Sequence, residues 1–166
     1  MKNFDTYWMR IALEQAALAL HEDELPVGAA VVVGEMVIGV GRKFRGGQFR
    51  LDHAEMVALR EVLTDHEEGF EGLTLYTTLE PCMQCFGAAL NAKLGRIVYA
   101  LVDPYGGATR IPRSTMPIRH REEFPDIVSG VLREESRQLL EQFFRTTKNR
   151  FWSTAVDNPL YQLCVS

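Results

Sequence analysis

An α/β domain built on a mixed sheet is the fold this sequence predicts, and three observations carry it. An amphipathic helical pattern opens the chain. A β-branched hairpin follows, and helical and strand patterns then alternate. The 166 residues suit one domain with one hydrophobic core.

The elements follow in order. Phe4–Glu22 places Trp8, Ile11, Leu13, Ala16 and Leu18 at helical spacing, and Pro26 ends the pattern. Val27–Val33 is β-branched, Gly34-Glu35 suits a tight turn, and Met36–Val40 continues as a second strand. Gly41–Asp52, rich in Gly and Arg, reads as a loop. His53–Leu63 is helical, with Met56, Val57, Leu59 and Leu63 on adjoining faces, and Leu73–Thr77 is a third strand. Pro81 suits the first turn of a helix reaching about Ala92, and Arg96–Ala100 is a fourth strand. Asp103–Pro125, broken by Pro104, Pro112 and Pro117, is expected to be irregular, with a short strand over Val128–Val131. Glu134–Lys148 is amphipathic through Leu139, Leu140, Phe143 and Phe144. Beyond Phe151, Asn158-Pro159 argues against one long continuation of that helix.

Composition narrows the class. Hydrophobic residues make up 46% and charged residues 24%, as in ordinary globular proteins. A net charge of −4 is not the footprint of a strongly basic nucleic-acid binder, although a local basic surface would suffice for one. No apolar run is long enough to span a bilayer, and Met1-Lys2-Asn3-Phe4-Asp5 has no signal-peptide apolar block. The expected compartment is the cytoplasm. Three cysteines, two of them in Cys82-Met83-Gln84-Cys85 and Cys164 alone, read poorly as a disulfide framework and better as a metal or redox site.

The chemistry concentrates in His53-Ala54-Glu55 and Pro81-Cys82-Met83-Gln84-Cys85, each at the start of a predicted helix. Open α/β sheets build their sites at such strand and loop ends. His53, Cys82 and Cys85 are three ligands for Zn²⁺, and three ligands leave one tetrahedral position open, as in catalytic zinc sites. Two thiolates and a neutral imidazole cancel the metal charge, and a helix N-terminus favours a thiolate. Two electron-rich thiolates would weaken the acidifying effect of zinc on water, so an added base is useful. Glu55, two residues from His53, would face that water without ligating the metal. It would serve as general base, then deliver protons to the ring nitrogen and the departing amine of an aminated heterocycle.

These residues match the His-x-Glu and Pro-Cys-x-x-Cys signature of the zinc nucleobase deaminases. The chain resembles the zinc-dependent cytidine/deoxycytidylate deaminase superfamily, and within it the bacterial tRNA-specific adenosine deaminases. Leu25-Pro26-Val27-Gly28-Ala29 resembles that branch's Pro-Val-Gly-Ala strand, and Thr74-Leu75-Tyr76-Thr77-Thr78-Leu79-Glu80-Pro81-Cys82 its Thr-Leu-Tyr-Val-Thr-Leu-Glu-Pro-Cys segment. Leu94-Gly95-Arg96-Ile97-Val98-Tyr99 and Gln142-Phe143-Phe144-Arg145 are similar in kind. The resemblance runs over residues 6–148. It implies a three-layer α/β/α cytidine-deaminase-like fold with a five-stranded mixed sheet, a zinc cofactor and a homodimer. It also implies a deaminase domain over residues 1–150, with 151–166 an extension that packs on the domain or on a dimer mate. By the same resemblance Val27, Lys43, Ala54 and Asp103 lie on the substrate side. Lys43 stands where the family usually has an Asn, and Phe49-Arg50-Leu51-Asp52 replaces the family's Asp-Pro-Thr-Ala.

Several residues carry two readings. Arg42, Lys43, Arg45 and Arg50, and likewise Arg110, Arg113, Arg119 and Arg121, are either a phosphate-contacting rim or solvated loops. Asp103 is either a substrate contact or a turn residue before Pro104. Arg145, Lys148 and Arg150 suit a helix C-terminus through its dipole. Phe151, Trp152 and Tyr161 would stack on a base, cover the pocket or pack on protein. Three functions compete. One is a tRNA adenosine-to-inosine deaminase, and the second is a deaminase of a free nucleobase, nucleoside or similar small heterocycle. The third is a non-catalytic zinc-binding subunit, against which the presence of Glu55 argues.

Overall fold

The computed structural model describes residues 4–44, 51–63 and 72–165. Helix α1 (Phe4–His21) leads into strands β1 (Gly28–Val33) and β2 (Met36–Arg42), followed by α2 (Ala54–Leu63), β3 (Leu73–Leu79), α3 (Met83–Asn91) and β4 (Arg96–Leu101). A 3₁₀ turn (Arg113–Thr115) and α4 (Ile118–Glu122) precede β5 (Asp126–Ser129), α5 (Arg133–Thr146), α6 (Arg150–Ser153) and α7 (Pro159–Val165). Among the described residues the strands form one five-stranded sheet in the order β2-β1-β3-β4-β5. β1 runs antiparallel to β2 and β3, while β3, β4 and β5 are mutually parallel.

Side-chain alternation along the central strands sorts the helices into layers. Val31, Leu75 and Ile97 face one side and pack with Ala58, Leu59 and Val62 of α2 and Phe86, Ala89 and Leu90 of α3. Their neighbours Val32, Tyr76 and Val98 face the other side, against Trp8, Met9, Ala12 and Leu13 of α1 and Leu139 of α5. β2 lies close on α2 because Gly41 has no side chain. A Cβ there would sit 2.0 Å from the Ala54 carbonyl oxygen. That contact sets the first turn of α2 at the sheet's edge.

Strand β2 extends through Gly41 and Arg42, which pair with Ala29 and Gly28, so it runs further than its β-branched residues indicate. Ladder pairing recruits flanking residues whatever their composition. The 103–125 segment is also more ordered than its prolines suggest. Pro112 and Pro117 stand immediately before the 3₁₀ turn and α4, where a missing N–H costs nothing. The C-terminal part forms two short helices. Asn149 caps α6, and Asn158 caps α7 by accepting from the Leu160 N–H at 2.8 Å with Pro159 in the first turn. Leu160 and Cys164 are buried in the main core, and Arg137 of α5 donates to the Cys164 carbonyl at 2.7 Å. Trp152 and Tyr161 stack against Phe144 at 5.9 and 5.3 Å.

One ion pair joins α1 to the sheet. Arg96 of β4 donates to both oxygens of Asp5 at 2.6 and 2.8 Å, and the Tyr76 hydroxyl donates to the same carboxylate at 2.9 Å. The Arg96 guanidinium holds Asp5 below the ordinary carboxylate value. A lowered folded-state pKa means the unfolded chain takes up the proton first as the pH falls, so the stabilisation is complete above the ordinary aspartate value of 3.8. It is lost as the pH drops through the lower value Asp5 has in the fold. Asp5→Asn is expected to cost about 1–2 kcal/mol at neutral pH. Urea denaturation of both proteins at pH 7 and in acid checks this, and the difference between them should shrink in acid.

Candidate active site

His53 precedes α2 and Cys82 is the N-cap of α3, so the site forms where two helices begin on one face of the sheet. The His53 carbonyl accepts the first helical bond of α2 from Val57 at 3.0 Å, and the Cys82 carbonyl accepts that of α3 from Phe86 at 2.8 Å. A direct tie joins the two starts. Gln84 of α3 donates through Nε2 to the Leu51 carbonyl, two residues before His53, at 2.9 Å. Asp52 is buried and ion-paired with Arg60 one helical face along α2.

The geometry fits a metal. His53 Nδ1 lies 3.3 Å from Cys82 Sγ and 3.5 Å from Cys85 Sγ, and the two sulfurs are 3.7 Å apart. A tetrahedral zinc with sulfur at about 2.3 Å and nitrogen at about 2.0–2.1 Å requires edges of about 3.7–3.8 Å and 3.5–3.6 Å. The three donors therefore already stand at the corners of a zinc tetrahedron. A disulfide is excluded, since its sulfurs would be about 2.05 Å apart. Among the described residues these three form the one group able to hold a metal ion. His21, His120 and Cys164 are not in it, and His66 lies outside the described residues. Three protein ligands leave the fourth position open.

The Cys82 thiol is pulled down to about 4, first by its hydrogen bond with Cys85 and then by His53. The Cys85 thiol is pushed up by Cys82 and by burial. The Cys82 partner raises His53. Glu55, buried in the first turn of α2, has its carboxyl raised by burial above all. Its carboxylate does not belong to the ligand group.

The remaining expected site residues have different surroundings. Ala54 and Val27 are buried in the core cluster that also holds Leu79 and Ala108. The Lys43 ammonium is near enough to His53 to oppose its protonation. Asp103 is buried beside Cys82 and Glu80, and burial raises its carboxyl. It also makes its own turn, accepting from the Tyr105 N–H at 2.8 Å.

The arginines are less of a rim than the sequence suggests. Arg42 pairs with Glu22 at 3.0 Å, and Arg110 reaches Glu80 and the Asp103 carbonyl. Arg113 donates to the Arg121 carbonyl and lies 5.5 Å over the Phe124 ring. Arg145 pairs with Glu141, and Arg45 and Arg50 lie outside the described residues. Glu80 is the residue that sequence reading left without a role. Its side chain is fully buried and its carboxylate is bonded on every side by the 103–110 loop. Its place directly before Pro81-Cys82 is the only signal the sequence offers.

A His/Cys/Cys metal centre with an open position and a buried carboxylate alongside is the equipment of a zinc-dependent hydrolytic deaminase. The chain belongs to the cytidine and deoxycytidylate deaminase zinc-binding family, whose pattern it matches over residues 2–101. It is 36% identical over 146 residues to the tRNA-specific adenosine deaminase of Agrobacterium fabrum, covering 84% of this chain and 93% of that one. It is 32% identical over 148 residues to the tRNA-specific adenosine deaminase of Bacillus subtilis, covering 88% and 92%. A solved structure from work on A-to-I editing by tRNA:A34 deaminases superimposes with a TM-score of 0.72 at 35% identity, over 81% of this chain and 99% of that one. The five-stranded mixed sheet expected by resemblance is the one found. No described helix is long and apolar enough to cross a membrane.

Purified protein is expected to carry about one zinc per chain, and Cys82→Ala or Cys85→Ala to lose it. Elemental analysis after gel filtration decides, and full occupancy in either variant would break the ligand assignment.

Proposed function

We propose that this enzyme deaminates an adenosine presented within a tRNA, taking up water and releasing ammonia to leave inosine. The observation that carries the reading is similarity along more than four-fifths of the chain to enzymes named tRNA-specific adenosine deaminase. Zinc, when bound by His53, Cys82 and Cys85, supplies a Lewis acid that makes water easier to deprotonate. Glu55 takes the proton from the attacking water. It passes that proton to the ring nitrogen, then takes the second proton from the new hydroxyl on the ring carbon and gives it to the amine, which leaves as ammonia. Burial raises its proton affinity, which suits a group that must accept a proton and then return it. Ala54 and Val27 offer apolar surface to the base. Lys43 and Asp103 would meet the sugar and phosphate of a splayed-out nucleotide.

Residues 1–150 form the catalytic domain in this reading, with 151–166 an extension of it. Burial of Leu160 and Cys164 against α5 supports packing on the same chain. A cytoplasmic homodimer is the assembly we favour. Leu51 and Met83, each 62% exposed beside the metal centre, supply apolar surface for a second copy. A second reading, deamination of a free base or nucleoside, draws support from the internal engagement of Arg42, Arg110 and Arg113, which leaves fewer cations for phosphate.

Glu55→Gln should keep zinc while lowering turnover by about 10²–10⁴-fold. Unchanged ammonia release would remove Glu55 from the chemistry. The substrate is settled by ammonia release from unmodified tRNAs, adenosine, cytidine, adenine, cytosine and guanine. The tRNA reading expects inosine in RNA and binding that weakens steeply with salt. Turnover confined to a free base or nucleoside would replace it with the second reading. Sedimentation at micromolar concentration reports the oligomeric state, and a monomer would discount the dimer.

A further inference from the structure

We propose that Glu80 is a positioning residue, a buried carboxylate that holds the 103–110 loop against the metal centre and so sets Asp103 for the substrate. The inference rests on the reading above, in which Asp103 meets the substrate. Glu80 directly follows β3, and its backbone N–H donates to the Leu101 carbonyl of β4 at 2.8 Å, so its main chain is tied to the sheet. Two residues further on, Cys82 binds the metal. The side chain points the other way, into the loop that follows β4.

Both ends of that loop bond to the carboxylate. Oε2 accepts from the Asp103 N–H at 3.1 Å. Oε1 accepts from the Thr109 N–H at 3.1 Å and from the Thr109 hydroxyl at 2.6 Å. Arg110 Nε reaches both oxygens at 3.2 and 3.3 Å, while its other arm donates to the Asp103 carbonyl at 3.0 Å. Between these ends the chain must wrap tightly. A Cβ on Gly107 would lie 2.3 Å from Glu80 Oε2, so only glycine fits. The wrapped loop is then stitched to the metal-binding segment. Ala108 donates to the Pro81 carbonyl at 2.9 Å, and Gly107 forms a β-bridge with Cys82.

The charge explains why a carboxylate is used. Burying an ion is costly unless its lone pairs are filled, and here they are filled by loop donors. Arg110 is 54% exposed and contributes little by itself. All of these donors come from residues 103–110 and none from the helices or strands of the core. Losing the carboxylate therefore loosens the loop ends, while the backbone ties to Pro81 and Cys82 remain and keep the sheet and the metal ligands in place.

The test uses the zinc-loaded, full-length enzyme and the variants Glu80→Gln, Thr109→Val, Asp103→Asn and the Glu80→Gln/Asp103→Asn double. Glu80→Gln keeps the side-chain shape but turns one acceptor into a donor that faces the loop's own N–H groups, so the loop should loosen while zinc content matches the parent. Amide hydrogen exchange at Asp103 and Thr109 should speed up in it. Its KM should rise about tenfold, with kcat falling less, since substrate placement and not the zinc chemistry is disturbed. Thr109→Val should show the same pattern more weakly. If Glu80 acts through Asp103, the double variant should be no worse than Asp103→Asn alone. Unchanged KM, unchanged exchange, or strictly additive losses would each overturn the role. KM is read on whichever substrate of the panel the parent turns over. A parent inactive on all of them counts against the deaminase reading of the site, while the exchange result still decides whether Glu80 holds the loop.

Discussion

Everything in this molecule is arranged around one requirement: an imidazole and two thiols from separate helix starts must converge to within 3.7 Å. Neither helix can be displaced without breaking that tetrahedron. The parallel pairing of β3 and β4 fixes the strand end from which α3 departs, and Gly41 lets β2 press against the first turn of α2. Gln84 then locks one helix start to the segment leading into the other. The apolar packing of Leu75, Ile97, Leu59 and Phe86 supplies the free energy that holds both helices on that face.

Three of the buried carboxylates near the centre meet three different fates, and the difference is in their donors. Glu55 is left with few partners, so burial raises its affinity for a proton, and that suits acid–base work. Asp103 is buried at the rim and accepts mainly from its own turn. Glu80 is filled with donors from one loop and is a strut. Residue type alone would have ranked these three alike.

The far side of the domain serves the near side. Asp5, Arg96 and Tyr76 pin α1 to the sheet, and α5 leans on α1. The C-terminal helices then cover α5 through Trp152, Tyr161 and Leu160, with Arg137 holding the last turn of α7. Burial above all raises the Cys164 thiol, and Asp103 is near enough to add to the rise, so α7 approaches the 103–110 loop.

The sequence by itself determined the ligand set, the neighbouring Glu55 and the α/β order, because these depend on residue type and local period. His53-Ala54-Glu55 and Cys82-Met83-Gln84-Cys85 carry their chemistry in short spacings that no folding event can alter. The bounds of β2, the helical turns at Pro112, Pro117 and Pro159, and the engagement of Arg42, Arg110 and Arg113 were settled by tertiary structure. Each of these three arginines depends on a partner 8 to 30 residues away. So does the role of Glu80. A carboxylate becomes a strut only when a loop 23 to 30 residues further along folds back to fill its lone pairs, and pairings at that distance leave no local pattern to read.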